Sequence, residues 1–91
     1  MRSQNPAIGI DLVEIKRAKL FYKEHKDVLG SFLRKEEARA VRESARPYET
    51  LAGILAAQEA VFKARGHSRK SVHLTVFKNE KYVVACALGH S

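Results

Sequence analysis

A chain of 91 residues, 45% of them hydrophobic, is long enough for one modest core and too short for two, so residues 1–91 are expected to form a single domain. Its 17 basic against 10 acidic residues give a net charge of +7, which favours a polyanionic partner: a nucleic acid, an acidic protein, a phosphorylated small molecule or an anionic membrane. One cysteine, Cys86, excludes an internal disulfide and a cysteine zinc site, and no window approaches the roughly 20 apolar residues of a membrane span, so a soluble cytoplasmic protein is expected.

In chain order, Ala7 to Ile15 has the β-branched content and length of a strand buried on at least one face. Asp11 falls on the same face as Gly9, Val13 and Ile15, as a carboxylate among apolar neighbours. Two readings are open for it: a cap for the next helix, or a group held against the core for a purpose. From Lys16 the period becomes helical up to Gly30, with Lys16, Arg17, Lys19, Lys23 and Lys26 against only Glu24 and Asp27. Such a run reads either as a solvated face or as a docking surface. A second helix is expected over about residues 35–45, with Glu36 and Glu37 in its first turn, where the helix dipole favours them. Pro47 ends that helix and can open the next.

Leu51 to Gly66 is the expected central helix, with Leu51, Leu55, Glu59 and Phe62 on one stripe and alanines that permit close approach. Glu59 would then be a carboxylate within an apolar face, needing a partner; Lys63, four residues on, is the ordinary candidate. Beyond the basic connection HSRKS, residues 72–77 and 82–88 flank KNEK and read as a β-hairpin. His73 reads as an exposed or simply hydrogen-bonded histidine. No glycine-rich phosphate loop or zinc-protease helix is present, and the few aromatic residues are not interleaved with the basic run, which argues against a nucleic-acid binder.

Two carboxylates on packing faces could explain each other. Magnesium takes one or two carboxylates and completes its shell with water and phosphate oxygens, so Asp11 and Glu59 form a candidate metal site. Lys63, Arg65, Arg69 and Lys70 around the end of the helix would face the remainder of a phosphorylated ligand.

The stretches GIDLVEIKR (residues 9–17) and LAGILAAQEAVFKARG (residues 51–66) resemble the two signature stretches of the holo-acyl-carrier-protein synthases, the small phosphopantetheinyl transferases. The closing VHLTVFKNEKYVVACAL looks like that family's final hairpin. The resemblance implies an α+β fold, a small antiparallel sheet packed on a central helix, and a homotrimer with sites between subunits. It also implies coenzyme A as donor, magnesium as cofactor and the serine of an apo acyl carrier protein as acceptor, in fatty-acid or related lipid metabolism. Carried onto this sequence, Asp11 and Glu59 match the magnesium ligands, Glu59 and Lys63 the catalytic pair, and Arg17, beside Lys16, a residue that docks the carrier protein. Ile54 and Gln58 stand where the family has cations, and a segment with a Gly-Lys-Pro turn between further strands is missing after the helix. Arg34 replaces the usual capping threonine, leaving Glu37 without that partner. The resemblance therefore carries an alternative: a catalytically impaired module that keeps the fold and binds the carrier protein without transferring the group.

Overall fold

A computed structural model describes residues 7–65 and 71–90. Strand β1 (Ala7–Glu14) leads into helix α1 (Ile15–His25) and a 3-10 segment (Lys26–Ser31), followed by α2 (Lys35–Glu43), α3 (Pro47–Arg65), β2 (Ser71–Lys78) and β3 (Tyr82–His90). The three strands form one antiparallel sheet in the order β1-β3-β2, so the α+β expectation and the hairpin both hold. The hairpin is closed by Asn79, whose side-chain oxygen accepts the N–H groups of Lys81 and Tyr82, each at 2.8 Å.

Strand β3 is central because every second residue is small or β-branched and points at α3: Val83, Ala85 and Ala87 are buried. Helix α3 answers with Ala52, Ala56, Ala60 and Ala64, all fully buried at four-residue spacing. Alanine against alanine lets the helix lie close on the sheet. At Gly9 the approach leaves no room for a side chain. A Cβ there would collide with the Ala60 carbonyl and come within 2.8 Å of the Ala64 nitrogen and 2.9 Å of Lys63 Cβ. At the other end of α3, Leu51 joins Leu29, Leu33, Ala38 and Val41 under α1 and α2 to complete the core. Each such buried Leu or Val stabilises the fold by about 1.5–3 kcal/mol, so a core this rich in alanine is modest.

Three sequence expectations need correction. The central helix extends back to Pro47, and its sheet-facing row is the alanines; of the expected stripe Leu51 is buried and Leu55 half-buried, whereas Glu59 and Phe62 stay outside the core. Glu59 is exposed and Phe62 is 77% exposed, because close packing on the sheet selects the smallest side chains and turns the larger ones to the flank. Helix α1 ends at His25, not at Gly30. There the backbone leaves helical geometry (φ −126°, ψ 14°), and the 3-10 segment brings Leu29 into the core and Phe32 edge-on to Phe21, ring centroids 5.4 Å apart. Glu37 does have partners. It accepts the Arg34 backbone N–H at 2.8 Å, the Arg34 guanidinium at 3.2 Å and the Gln58 amide at 3.2 Å. A long guanidinium thus folds over the carboxylate that a threonine would have left to the backbone.

Candidate functional site

Strand β1 and helix α3 run past each other in opposite directions: Gly9 abuts Ala60 and Ala64, while Val13 and Leu55 line one cavity further along. Asp11 lies between Gly9 and Val13 on the strand, and the residue of α3 that it meets is Lys63. Alternation puts Asp11 on the helix-facing side of β1, where it is half-buried.

Lys63 reaches back along α3 to meet it. Its ammonium donates to the Ile10 carbonyl at 3.1 Å and to Asp11 Oδ1 at 3.2 Å. The direction follows from helix geometry, since long side chains lean towards the N-terminus. The Asp11 side chain is 21% exposed and that of Lys63 49%, so the pair faces solvent on one side. Glu59 sits one turn before Lys63 on the same flank of α3. The partner sequence reasoning offered for Glu59 is thus directed at Asp11 instead. The Ile10 carbonyl was not legible in the sequence, because backbone acceptors carry no sequence signal.

The remaining expected site residues divide. Lys16 and Arg17 are exposed on α1, with Arg17 beside Leu20, Phe21 and Leu55 at the rim of a shallow cavity. Arg65, two residues beyond Lys63, is on the other flank of α3, in a cavity with Ile54, Gln58, Leu74 and Val76. The two positions where family cations are replaced, Ile54 and Gln58, thus belong to that second flank and not to the Asp11–Lys63 side. Arg69 and Lys70 lie outside the described residues, as does most of the HSRKS connection. His73 is exposed and pairs in register with Leu88.

The donor set bears on magnesium. Among the described residues no three histidine, cysteine or acidic side chains gather as metal ligands. The Asp11 carboxylate, with an ammonium beside it and solvent on one side, and the exposed Glu59 one helical turn before that lysine are donors of the kind a hard cation accepts when it retains water and takes the rest of its shell from phosphate. They do not suit zinc, whose sites are built chiefly on histidine and cysteine.

The model of the 4'-phosphopantetheinyl transferase superfamily matches residues 7–86, a span that holds both signature stretches and the contact between them. The chain belongs to that superfamily. Within it the fold is close to holo-[acyl-carrier-protein] synthase from Neisseria meningitidis, at TM-score 0.83 and 21% identity over 93% of this chain and 98% of that one. It is also similar to a holo-(acyl-carrier-protein) synthase from Bacillus anthracis str. Ames in complex with CoA (3',5'-ADP), at TM-score 0.70 and 22% identity over 93% of this chain and 96% of that one. Holo-ACP-synthase from Plasmodium yoelii follows at TM-score 0.62 and 15% identity, over 91% and 92% of the two chains. No curated protein matches the sequence. For this transferase-superfamily chain, the superfamily match and the shared fold give the Asp11–Lys63 contact its setting: it joins the first signature stretch to the second.

Proposed function

We propose that the protein transfers the phosphopantetheine group from coenzyme A to a serine of an apo acyl carrier protein, with magnesium as cofactor. The observation that carries this reading is the meeting of Lys63 with Asp11 at 3.2 Å in a chain of the transferase superfamily. The Bacillus anthracis relative in complex with CoA (3',5'-ADP) supports coenzyme A as donor.

Asp11 and Glu59 would hold the metal, which when bound supplies positive charge to phosphate oxygens. Lys63 would donate to a phosphate oxygen and orient it, with Arg65, Arg69 and Lys70 meeting the remaining phosphate charge. Glu59, exposed and next to the proposed phosphate position, is the group of this chain best placed to accept the proton of the carrier serine. The exposed cations Lys16 and Arg17 on α1 would attract the acidic carrier protein and set its approach.

Self-association belongs to the same reading. The sheet face turned away from α3 carries Ile8, Ile10 and Leu12 on β1 and Phe77 on β2, each more than half exposed. In register with them, Val84, Cys86 and Leu88 of β3 extend the face across all three strands. An apolar surface of that extent is the kind that subunits cover, and a homotrimer built on it would enlarge a core otherwise rich in alanine.

The test is to incubate the protein with coenzyme A, magnesium and an apo carrier protein and to weigh the carrier. A gain of the phosphopantetheine mass that disappears with chelator or in Lys63→Ala is expected. A carrier that binds and gains no mass would replace this reading with the docking module.

A further inference from the structure

We propose that the open edge of β2, with the trough between it and α3, receives an extended strand of alternating apolar and acidic residues from a partner polypeptide. The trough lies on the opposite flank of α3 from Lys63, and of the described residues given a role in transfer only Arg65 lines it.

Strand β2 is eight residues long and terminal in the sheet order, so no strand among the described residues lies on its side away from β3. Edge strands are ordinarily protected by proline, a bulge, a projecting charge or a covering element. Strand β2 has no proline, runs in unbroken register with β3, and has one lysine, Lys78, which is engaged at 2.8 Å by Glu49. Leu74 and Val76, each 44% exposed, point into the trough. Two adjoining cavities of about 890 and 440 Å³ share Thr50, Gly53 and Val76 and so form one channel along the strand. Its far wall is Ile54, Val61 and Phe62 of α3. A strand added about 4.8 Å from β2 would complete backbone pairing and set every second side chain against this wall.

Charge selects the occupant. Arg34 borders the first cavity and Arg46 the second, and the carboxylate partner of each, Glu37 and Glu49, lines the same cavity at greater depth. The Arg34 side chain is 78% exposed against 16% for Glu37, and Arg46 is 80% exposed against 14% for Glu49. An incoming strand therefore meets two guanidinium groups, one towards each end, with their counter-charges recessed.

The experiment uses the intact protein and two synthetic peptides, one alternating valine with glutamate and one alternating valine with lysine. Amide hydrogen exchange should show new protection along residues 71–78 with the glutamate peptide, and binding should weaken with salt. The lysine peptide should bind at least about tenfold more weakly. Leu74→Lys with Val76→Lys should lower affinity for the glutamate peptide by a comparable factor, as a built-in repulsion to pairing. The proposal is overturned by equal binding of the two peptides or by no binding. Protection confined to the Ile8, Ile10 and Leu12 face would overturn it too. Concentration-dependent protection of β2 without peptide would assign the edge to a second copy instead.

Discussion

The ammonium of Lys63 lies 3.2 Å from the carboxylate of Asp11, across 52 positions of sequence, and its second acceptor is the carbonyl of the preceding residue, Ile10. One side chain thus ties the middle of β1 to the last turns of α3. As a half-exposed ion pair it stabilises the fold by no more than about 1 kcal/mol. Its value is positional: it holds a cation and a carboxylate side by side at a solvent-facing seam.

From this follows a separation of stability from activity. Asp11→Asn and Lys63→Ala should each change the unfolding free energy by less than about 1 kcal/mol, while carrier modification falls by about 100-fold or more. Urea titration and mass spectrometry of the carrier check the two halves. A loss of stability as large as the loss of activity would make the pair structural.

Gly9→Ala tests the close approach that makes the pair possible. The added methyl would meet the Ala60 carbonyl, the Ala64 nitrogen and Lys63 Cβ, none of which can swing aside without moving the helix. We expect a destabilisation of about 1–3 kcal/mol by overpacking. Lys63 should also draw away from Asp11, so activity falls further than in Asp11→Asn only if the helix itself shifts. Unfolding curves that match wild type would show that α3 does not press on β1 as closely as described.

Magnesium should raise the melting temperature of the wild type and leave Glu59→Gln and Asp11→Asn unmoved. Differential scanning fluorimetry with and without chelator reads this directly, independent of catalysis. An equal shift in wild type and Glu59→Gln would remove Glu59 from the metal site.

Acid should destabilise the protein through two glutamates on α2 and α3. Burial would raise the pKa of Glu37, but the Arg34 N–H, the Arg34 guanidinium and the Gln58 amide outweigh it and hold the carboxyl below its ordinary value. The hydrogen bond from Lys78 is the largest influence on Glu49; with the charges of Lys78 and Arg46 it overcomes a desolvation cost and lowers that carboxyl too. A lowered folded value means that the unfolded chain binds the proton more readily. This stability is therefore present above the ordinary glutamate value of 4.5 and is lost as pH falls through the lowered values. Melting temperature against pH should drop in that window, and Glu37→Gln should drop less steeply.

The sheet face predicts assembly. Ile10→Lys, at a site already more than half exposed in the single chain, should leave the monomer folded but convert any trimer to monomers in sedimentation analysis. Wild-type protein sedimenting as a monomer would remove the trimer from the proposal.

Much of this was legible in the sequence for local reasons. Alternation over residues 7–15 and over the closing hairpin, the helical period after Pro47, and the two signature stretches are properties of short segments, and the fold repeats them nearly residue for residue. Asp11 stood out as a carboxylate on the Gly9 and Val13 face, among apolar neighbours. What only the tertiary structure decided is which face of α3 is buried and who pairs with whom. Periodicity favoured the stripe of large side chains, yet the sheet took the alanine row, because a helix laid on Gly9, Ala85 and Ala87 gains more contact from close approach than from bulky anchors. That rotation exposed Glu59 and Phe62, sent Lys63 to Asp11 and left Ile54, Gln58 and Arg65 on the far flank. None of these outcomes is written in a local spacing, since each depends on the distance between two elements that meet only when the chain is folded.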